Sequence, residues 1–177
     1  AFFYDVTRLR NTRPKNVDQA IGAELATILV QENMREYTDS NGLFSISVPA
    51  SWRTEYPDMQ DKPCNVLFRG PQGFEMMVLV SQVGNQTYKG LERDIRAIEE
   101  DQGLNMNIKR EQINGIPVIR RTINLHYSRV LAMDLLQDEL AHHIQISIPN
   151  RYADQAEAIM TGLFNTYYPK KDTAEKT

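Results

Sequence analysis

The adjacent histidines His142 and His143 are the residues whose types and spacing come nearest to a metal or acid-base site. Neighbouring residues of a β-strand point to opposite faces of the sheet, so this pair cannot readily hold one metal ion. His126 lies on an earlier predicted strand, and no cluster of cysteines and histidines has the spacing of a zinc site. The pattern favours ordinary strand histidines, one facing the buried side of a sheet and one facing solvent.

The carboxylates near the single cysteine are a second group of residues whose types could support chemistry. Glu55, Asp58 and Asp61 precede Cys64 without the spacing of a calcium loop, which is typical of a solvated loop. Cys64 has no histidine or second cysteine near it in sequence, and this favours a passive structural role. The chain also lacks a glycine-rich phosphate loop and a Gly-x-Ser-x-Gly elbow. We therefore predict no catalytic residue, no cofactor, no metal and no enzymatic activity.

Two basic pairs, Lys109-Arg110 and Arg120-Arg121, lie on neighbouring predicted strands. Together they would form a local positive patch for an acidic partner. Strand alternation weakens this interpretation, because one member of each pair must point inward.

Length and composition limit the classes of protein to which the chain can belong. With 177 residues the chain fits one domain, and its 20 basic and 23 acidic residues give a net charge of -3. Such a balance predicts no nucleic-acid partner. No apolar run approaches the roughly 20 residues that span a bilayer, so we predict no transmembrane segment. The chain opens on Ala1 rather than Met, which is typical of a form whose targeting segment has been removed.

The positioning elements follow from hydrophobic periodicity. Apolar residues at helical spacing predict a helix over 16–33, a second helix carries Leu91 and Ile95 and stops at Gly103, and a third follows Asn150. Alternation and turn residues predict the strands, which cover approximately 44–48, 65–69, 74–82, 105–113, 116–127, 129–136 and 140–148. Residues 53–64 are predicted to be a loop.

Three local features of the sequence predict how the strands are arranged and packed. Asn114-Gly115 is the preferred pair for a tight hairpin, and tight turns between consecutive strands imply an antiparallel sheet. The strand over 74–82 is apolar on both faces, which predicts a central strand covered on both sides. Trp52 follows a strand end and is expected to pack as a lid on the sheet rather than to bind a ligand.

The segment Tyr37–Arg53, with the sequence YTDSNGLFSISVPASWR, resembles the opening of PsbP-like domains. Those domains begin with an aromatic strand and a polar turn, followed by a Phe-Ser strand that ends in Pro-x-x-Trp. The resemblance continues through 66–69, 78–83 and 113–118, and it covers approximately residues 36–168 in element order. Its motifs are short and structural.

This resemblance implies an α+β fold, an α/β/α sandwich with a central antiparallel sheet, here with an N-terminal helical extension. The expected division is an arm and helix over 1–34, a PsbP-like domain over 35–169 and a disordered tail over 170–177. The family implies no shared catalytic residues. Its members are docking modules: extrinsic subunits of photosystem II, a Ran-binding nuclear-import factor, and bacterial effector-associated chaperones.

The N-terminal segment combines an aromatic start, basic residues and an amphipathic helix. Three aromatics at a chain start pack on their own domain, on a partner or on a membrane interface. We predict partner contacts through eight residues: Phe2, Phe3, Tyr4, Arg8, Arg10, Arg13, Ile21 and Leu25. The rival interpretation is that the helix packs on its own sheet as an extra layer.

These observations favour a non-catalytic accessory or docking subunit of a larger, membrane-associated assembly, acting by protein–protein contact. The expected location is extracytoplasmic or an organellar lumen, at the membrane periphery, rather than the cytosol. The alternative is a soluble chaperone or small-GTPase-binding module of the same fold. A hydrolase or metal enzyme is a third class, supported only by scattered carboxylates and histidines.

Overall fold

Ten strands and two long helices make up the described part of the chain. The structure, a computed structural model, describes residues 22–25, 33–57 and 64–170. The strands are β1 (Met34–Thr38), β2 (Phe44–Pro49), β3 (Arg53–Glu55), β4 (Val66–Arg69), β5 (Glu75–Gln82), β6 (Met106–Ile113), β7 (Ile116–Asn124), β8 (Ser128–Gln137), β9 (Leu140–Pro149) and β10 (Tyr168–Pro169). The helices are α1 (Tyr88–Gln102) and α2 (Ala153–Phe164).

Seven of these strands form one antiparallel sheet in the order β3-β4-β5-β9-β8-β7-β6. The predicted hairpin turn is confirmed, since Asn114 and Gly115 both have positive φ angles, 52° and 78°. Asp138 and Glu139 make the β8–β9 turn in the same way, with φ angles of 51° and 64°. These two turns therefore fix the register of β7 against β6 and of β9 against β8.

A second, three-stranded sheet joins the two ends of the domain in the order β1-β2-β10. The sequence pattern did not predict it, because β10 has only two residues and shows no periodicity. Tyr168 pairs with Ser45 of β2, and the Thr166 hydroxyl accepts a hydrogen bond from the Ser47 backbone N–H at 3.0 Å. The prediction of a loop over 53–64 was also wrong at its start, where β3 pairs with β4.

Helix α1 begins and ends at the residues that helix chemistry favours. The Thr87 hydroxyl accepts a hydrogen bond from the Gly90 N–H at 3.0 Å, and Gly103 ends the helix with a φ of 63°. Its buried Ile95 packs with Met106 and Ile119, so α1 lies over β6 and β7.

Helix α2 packs on the opposite side of the large sheet, where the main core lies. Trp52 is 2% exposed there, and its ring lies 6.0 Å from that of Phe74 at a tilt of 47°, which confirms the predicted lid. A Cβ atom on Gly70 would lie 2.5 Å from Cε2 of the Trp52 ring. Glycine is therefore required at position 70 by the ring and not by its own backbone angles.

The two faces of the large sheet differ in cover. The core face carries Trp52, Phe68 and Ile144, all buried, whereas the outer face carries Ile119 under α1 and Met77 at the other end. Met77 and Leu79 are only half-buried, so the prediction that β5 is covered on both sides was wrong for the outer face. Neither described helix has the length and apolarity needed to cross a membrane.

Candidate functional site

Three charged or polar side chains form a row on the outer face, across β7, β8 and β9. Asp134 pairs in register with His143, and Arg121 lies two residues beyond the β7 partner of Asp134. The Asp134 carboxylate accepts a hydrogen bond from Arg121 Nη2 at 2.8 Å and lies 2.8 Å from His143 Nδ1. Arg121 Nη2 is also 3.3 Å from His143 Nδ1. The sheet register therefore assembles a compact Arg-Asp-His cluster.

The cluster is buried and its charges are paired, but Arg121 Nε has no hydrogen-bond partner among the described residues. The side chains of Arg121 and Asp134 are 9% and 10% exposed, and that of His143 is 20% exposed. Burial alone would raise the pKa of the Asp134 carboxyl, but the hydrogen bonds and charges of His143 and Arg121 offset this and hold its pKa below the usual value. Asp134 is therefore the anion around which the other two groups are organised.

The cluster ends at a cavity. His143 Nε2 lies 3.1 Å from Gln145 Oε1, and Gln145 lines a cavity of about 340 Å³ on the part of the outer face away from α1. The cavity is lined by Pro57, Cys64, Leu67, Arg69, Glu75, Met77, Gln145 and Ser147. Its volume lies at the lower end of the range of about 300–1,000 Å³ that is usual for small-molecule sites.

Cross-strand pairing explains the floor of this cavity. Met77 pairs with Leu67 on one side and Gln145 on the other, so these three residues form one row. Glu75 pairs in the same way with Arg69 and Ser147 in the next row. The cavity thus combines an apolar row with a polar one.

The polar groups of the cavity wall have ordinary structural partners. Arg69 donates hydrogen bonds to Glu55 at 2.7 Å and to Glu75 at 2.5 Å. Cys64 is buried, and burial raises the pKa of its thiol. The thiol is therefore kept protonated and is a poor nucleophile, as expected for a structural cysteine.

The neighbouring histidine, His142, lies on the core face, which confirms the predicted split of the pair. Its Nδ1 is 2.5 Å from the Tyr167 hydroxyl, and the residue is 1% exposed. Burial lowers the pKa of His142 to about 4 and raises that of the Tyr167 hydroxyl above its ordinary value. The ring is therefore neutral at pH 7, and a hydrogen bond joins its Nδ1 to the Tyr167 hydroxyl.

Most of the predicted docking residues lie outside the described residues: Phe2, Phe3, Tyr4, Arg8, Arg10, Arg13 and Ile21. Leu25 belongs to the helical segment 22–25, and its side chain is 3% exposed within the main core. Glu24 pairs with Arg151 at 2.9 Å. In this structure Leu25 contacts the domain itself, and the docking role of the segment stays a prediction.

The other sequence candidates are not brought together. Asp58 and Asp61 lie outside the described residues, and the part of the chain that is described contains no group of three His, Cys, Asp or Glu residues arranged for a metal. Arg120 stacks on Phe164 at 4.4 Å, and Arg121 is buried beside Asp134. The two arginines therefore contribute no exposed positive patch.

The sequence interpretation missed the Arg121–Asp134–His143 cluster. One signal was present, since Asp134 is the single acidic residue of the apolar strand SRVLAMDLLQ. A charge at such a position calls for a partner, but its identity depends on the register of three strands.

Among solved structures, the chain is similar to cyanobacterial PsbP (CyanoP) from Synechocystis sp. PCC 6803. The match has a TM-score of 0.64 and 12% sequence identity, and it covers 78% of this chain and 93% of the cyanobacterial one. The chain therefore has the PsbP-like α+β fold, as the resemblance of its motifs implied. Neither a protein-family model nor a curated protein matches the sequence.

Two further solved structures are more distant. A Pseudomonas aeruginosa protein of unknown function, PA94, has a TM-score of 0.48 and 10% identity, covering 78% of this chain and 98% of its own. A Bacteroides thetaiotaomicron protein has a TM-score of 0.44 and 12% identity, covering 79% of this chain and 50% of its own. With these lower scores they add nothing to the assignment of the fold.

Proposed function

We propose that this chain is a non-catalytic accessory subunit that docks onto a larger, membrane-associated protein assembly through protein–protein contacts. The observation that carries the proposal is the PsbP-like fold, found both in the sequence motifs and in the likeness to cyanobacterial PsbP. The motif resemblance implies a family of docking modules without shared catalytic residues, and we extend that role to this chain.

The chemistry of the described site supports a non-catalytic role. The Cys64 thiol is buried with a raised pKa, and the His142 ring is buried with a pKa of about 4. His143 is held between Asp134 and Gln145. Both histidine rings therefore make structural contacts, and burial keeps the Cys64 thiol protonated.

Attachment is proposed to reside in residues 1–34, with the PsbP-like domain over 35–169 as the rigid platform. An amphipathic helix with an apolar stripe suits a groove on a partner. Because Leu25 is buried in the core of this chain, we assign the partner contacts first to the aromatic residues Phe2, Phe3 and Tyr4, and then to the three arginines. The helix anchors the arm to its own domain.

Deletion of residues 1–34 tests this role. Association is measured by co-purification with the native membrane fraction in mild detergent, and folding by thermal unfolding. We expect the shortened chain to stay folded with a lower melting temperature and to lose association. A shortened chain that still associates would place the contact surface on the sandwich itself, and the docking role of the arm would be wrong.

Two point variants separate the arm from the core. Leu25→Ala should lower stability by about 2–5 kcal/mol without loss of association, because it removes a buried side chain. The triple change of Arg8, Arg10 and Arg13 to Gln should weaken association and leave the melting temperature unchanged. The opposite pattern would show that the helix contacts the partner and that the basic residues do not.

We also propose an extracytoplasmic or organellar-lumenal location at the membrane periphery. Fractionation of the native source should place the chain with membranes, from which high salt or alkaline washing releases it. Recovery in the soluble cytosolic fraction would contradict this location and favour the soluble alternative.

A further inference from the structure

Strand β6 forms one edge of the large sheet and is long enough to bind a further strand. It has 8 residues, and among the described elements it pairs only with β7. The side chains of residues 109 to 112 are all exposed. An exposed edge of this length is a template for pairing with another chain, because one side of its backbone has no strand partner.

The tight turn between β6 and β7 determines which backbone groups face outward. Asn114 and Gly115 both have positive φ angles, and Ile113 lies opposite Ile116, so the pair that closes the turn is hydrogen-bonded. Hydrogen-bonded and non-hydrogen-bonded pairs alternate along antiparallel strands. The even-numbered residues of β6 therefore direct their N–H and C=O groups away from β7.

The first of these outward groups has a partner within the chain. The Met106 N–H donates a hydrogen bond to the Glu99 carboxylate of α1 at 3.0 Å, which agrees with its outward direction. The outward groups that follow along the strand belong to Ile108, Arg110 and Gln112. The free part of the edge is therefore centred on Arg110.

We propose that this free edge pairs antiparallel with β6 of a second copy of the chain, with Arg110 opposite Arg110. In this register Ile108 lies opposite Gln112 of the second copy, and Gln112 lies opposite Ile108. Every free outward-facing residue then meets another, and each such pair exchanges two backbone hydrogen bonds. The two large sheets become one continuous sheet across a two-fold axis.

The charges of the strand favour this register. Lys109 lies opposite Glu111 of the second copy, and the two-fold axis repeats the contact. Opposite charges that face each other across strands are stabilising, and like charges are destabilising. The two neighbouring registers that keep the outward groups opposite each other would place Lys109 opposite Lys109 or Glu111 opposite Glu111. Both are penalised by repulsion.

The outer face can accept the second copy. Arg110 lies opposite its own copy, but each guanidinium is neutralised within its chain by Glu92 of α1, with Nε 3.0 Å from the carboxylate. Helix α1 lies over β6 and β7, so the two α1 helices would be about 10 Å apart, which is two strand spacings. Packed helices are usually about 8–10 Å apart, so the helices would be close to packing distance without overlap.

Sedimentation of the full chain over a concentration series tests the pairing. We expect a monomer–dimer equilibrium that weakens with salt. Lys109→Glu and Glu111→Lys should each weaken self-association by about tenfold, because two symmetric contacts change from opposite to like charge. A mixture of these two variants should dimerise again, since each contact then joins a glutamate to a lysine.

A backbone variant with a matched control tests the strand edge itself. Gln112→Pro removes an outward N–H and should abolish the dimer, whereas Gln112→Ala keeps the N–H and should dimerise like the native chain. Thermal unfolding checks that both variants fold. Lysine on an edge strand also prevents pairing in many proteins, and this rival predicts a monomer at every concentration. A monomeric native chain, or a dimer that the charge changes leave unaltered, would overturn the proposal.

Discussion

Two consecutive residues of β9 show how differently the two faces of one sheet treat the same side chain. His142 is enclosed on the core face, where its ring is hydrogen-bonded to the Tyr167 hydroxyl, and burial lowers its pKa to about 4. His143 lies on the outer face between Asp134 and Gln145, next to a cavity. Burial keeps the His142 ring neutral, whereas the His143 ring is positioned by its contact with the Asp134 carboxylate.

The difference separates what builds the domain from what can respond to its surroundings. The core face is covered by α2, the small sheet and a group of packed aromatic rings, so a substitution there should lower the stability of the fold. Among the described elements, α1 covers one end of the outer face, and the other end has half-buried side chains around the cavity. Substitutions around the cavity should affect contacts with other molecules more than the stability of the fold.

The largest expected effect is that of Trp52→Ala. Removal of a large buried aromatic side chain should lower the free energy of unfolding by about 3–5 kcal/mol, measured by chemical denaturation. The matched outer-face variant is Met77→Ala, which removes a half-buried side chain and should cost clearly less. Equal losses at the two positions would remove the contrast between the faces.

The second prediction concerns acid stability. Because the pKa of His142 is lowered from 6.5 to about 4, the unfolded chain binds a proton before the folded one does. The stabilisation by the neutral ring is therefore complete above pH 6.5 and is lost as the pH falls toward 4. We expect a loss of about 3 kcal/mol over this window in denaturant titrations at stepped pH.

A matched variant separates the contribution of His142 to acid sensitivity from that of the carboxylates, which also bind protons in acid. His142→Gln removes the titrating ring, so its stability should fall less steeply between pH 6.5 and 4 than that of the native chain. Identical slopes for the two chains would show that His142 does not carry the acid sensitivity.

Gly70→Ala is expected to have an intermediate effect. The new Cβ atom would lie 2.5 Å from the Trp52 ring, and overpacking of this kind costs about 1–3 kcal/mol. The control is Gly162→Ala in α2, where nothing lies within 4 Å and the φ angle is ordinary, so alanine should be neutral or slightly stabilising. Thermal unfolding of both variants decides whether the ring or the backbone restricts position 70.

The smallest expected effect is that of Arg69→Gln on the outer face. This arginine bridges Glu55 and Glu75, but about two fifths of each side chain is exposed, and exposed ion pairs contribute little. The midpoint of chemical unfolding at physiological salt should stay unchanged within error. A clear decrease would mean that the cavity wall contributes to folding and that the two faces are less different than proposed.

The parts of the fold that were predictable from the sequence are those with local causes. Turn chemistry predicts the Asn114-Gly115 hairpin and the end of α1 at Gly103. Strand alternation predicts the opposite orientations of the two histidines. β3 and β10 were missed because three and two residues are too few to show a period. They exist because other strands pair with them.

The candidate site depended on information that a single strand does not carry. Arg121 was considered as part of a basic patch, whereas its partner Asp134 is fixed by the register of β7 against β8. In the same way, Cys64 and Gln145 reach one cavity only because β4, β5 and β9 lie side by side. The structural role of Cys64 was predicted, but the proximity of these residues was not.

The pairing of β10 with β2 has a consequence for the synthesis of this protein. Tyr168 lies opposite Ser45, so the small sheet cannot close until the ribosome has released residues as far as Tyr168. Until then β2 exposes an unpaired edge, and the contacts that close it are far apart in sequence, which slows folding. We therefore expect the nascent chain to need protection until β10 has emerged, and a chain truncated before Thr166 to aggregate rather than to fold.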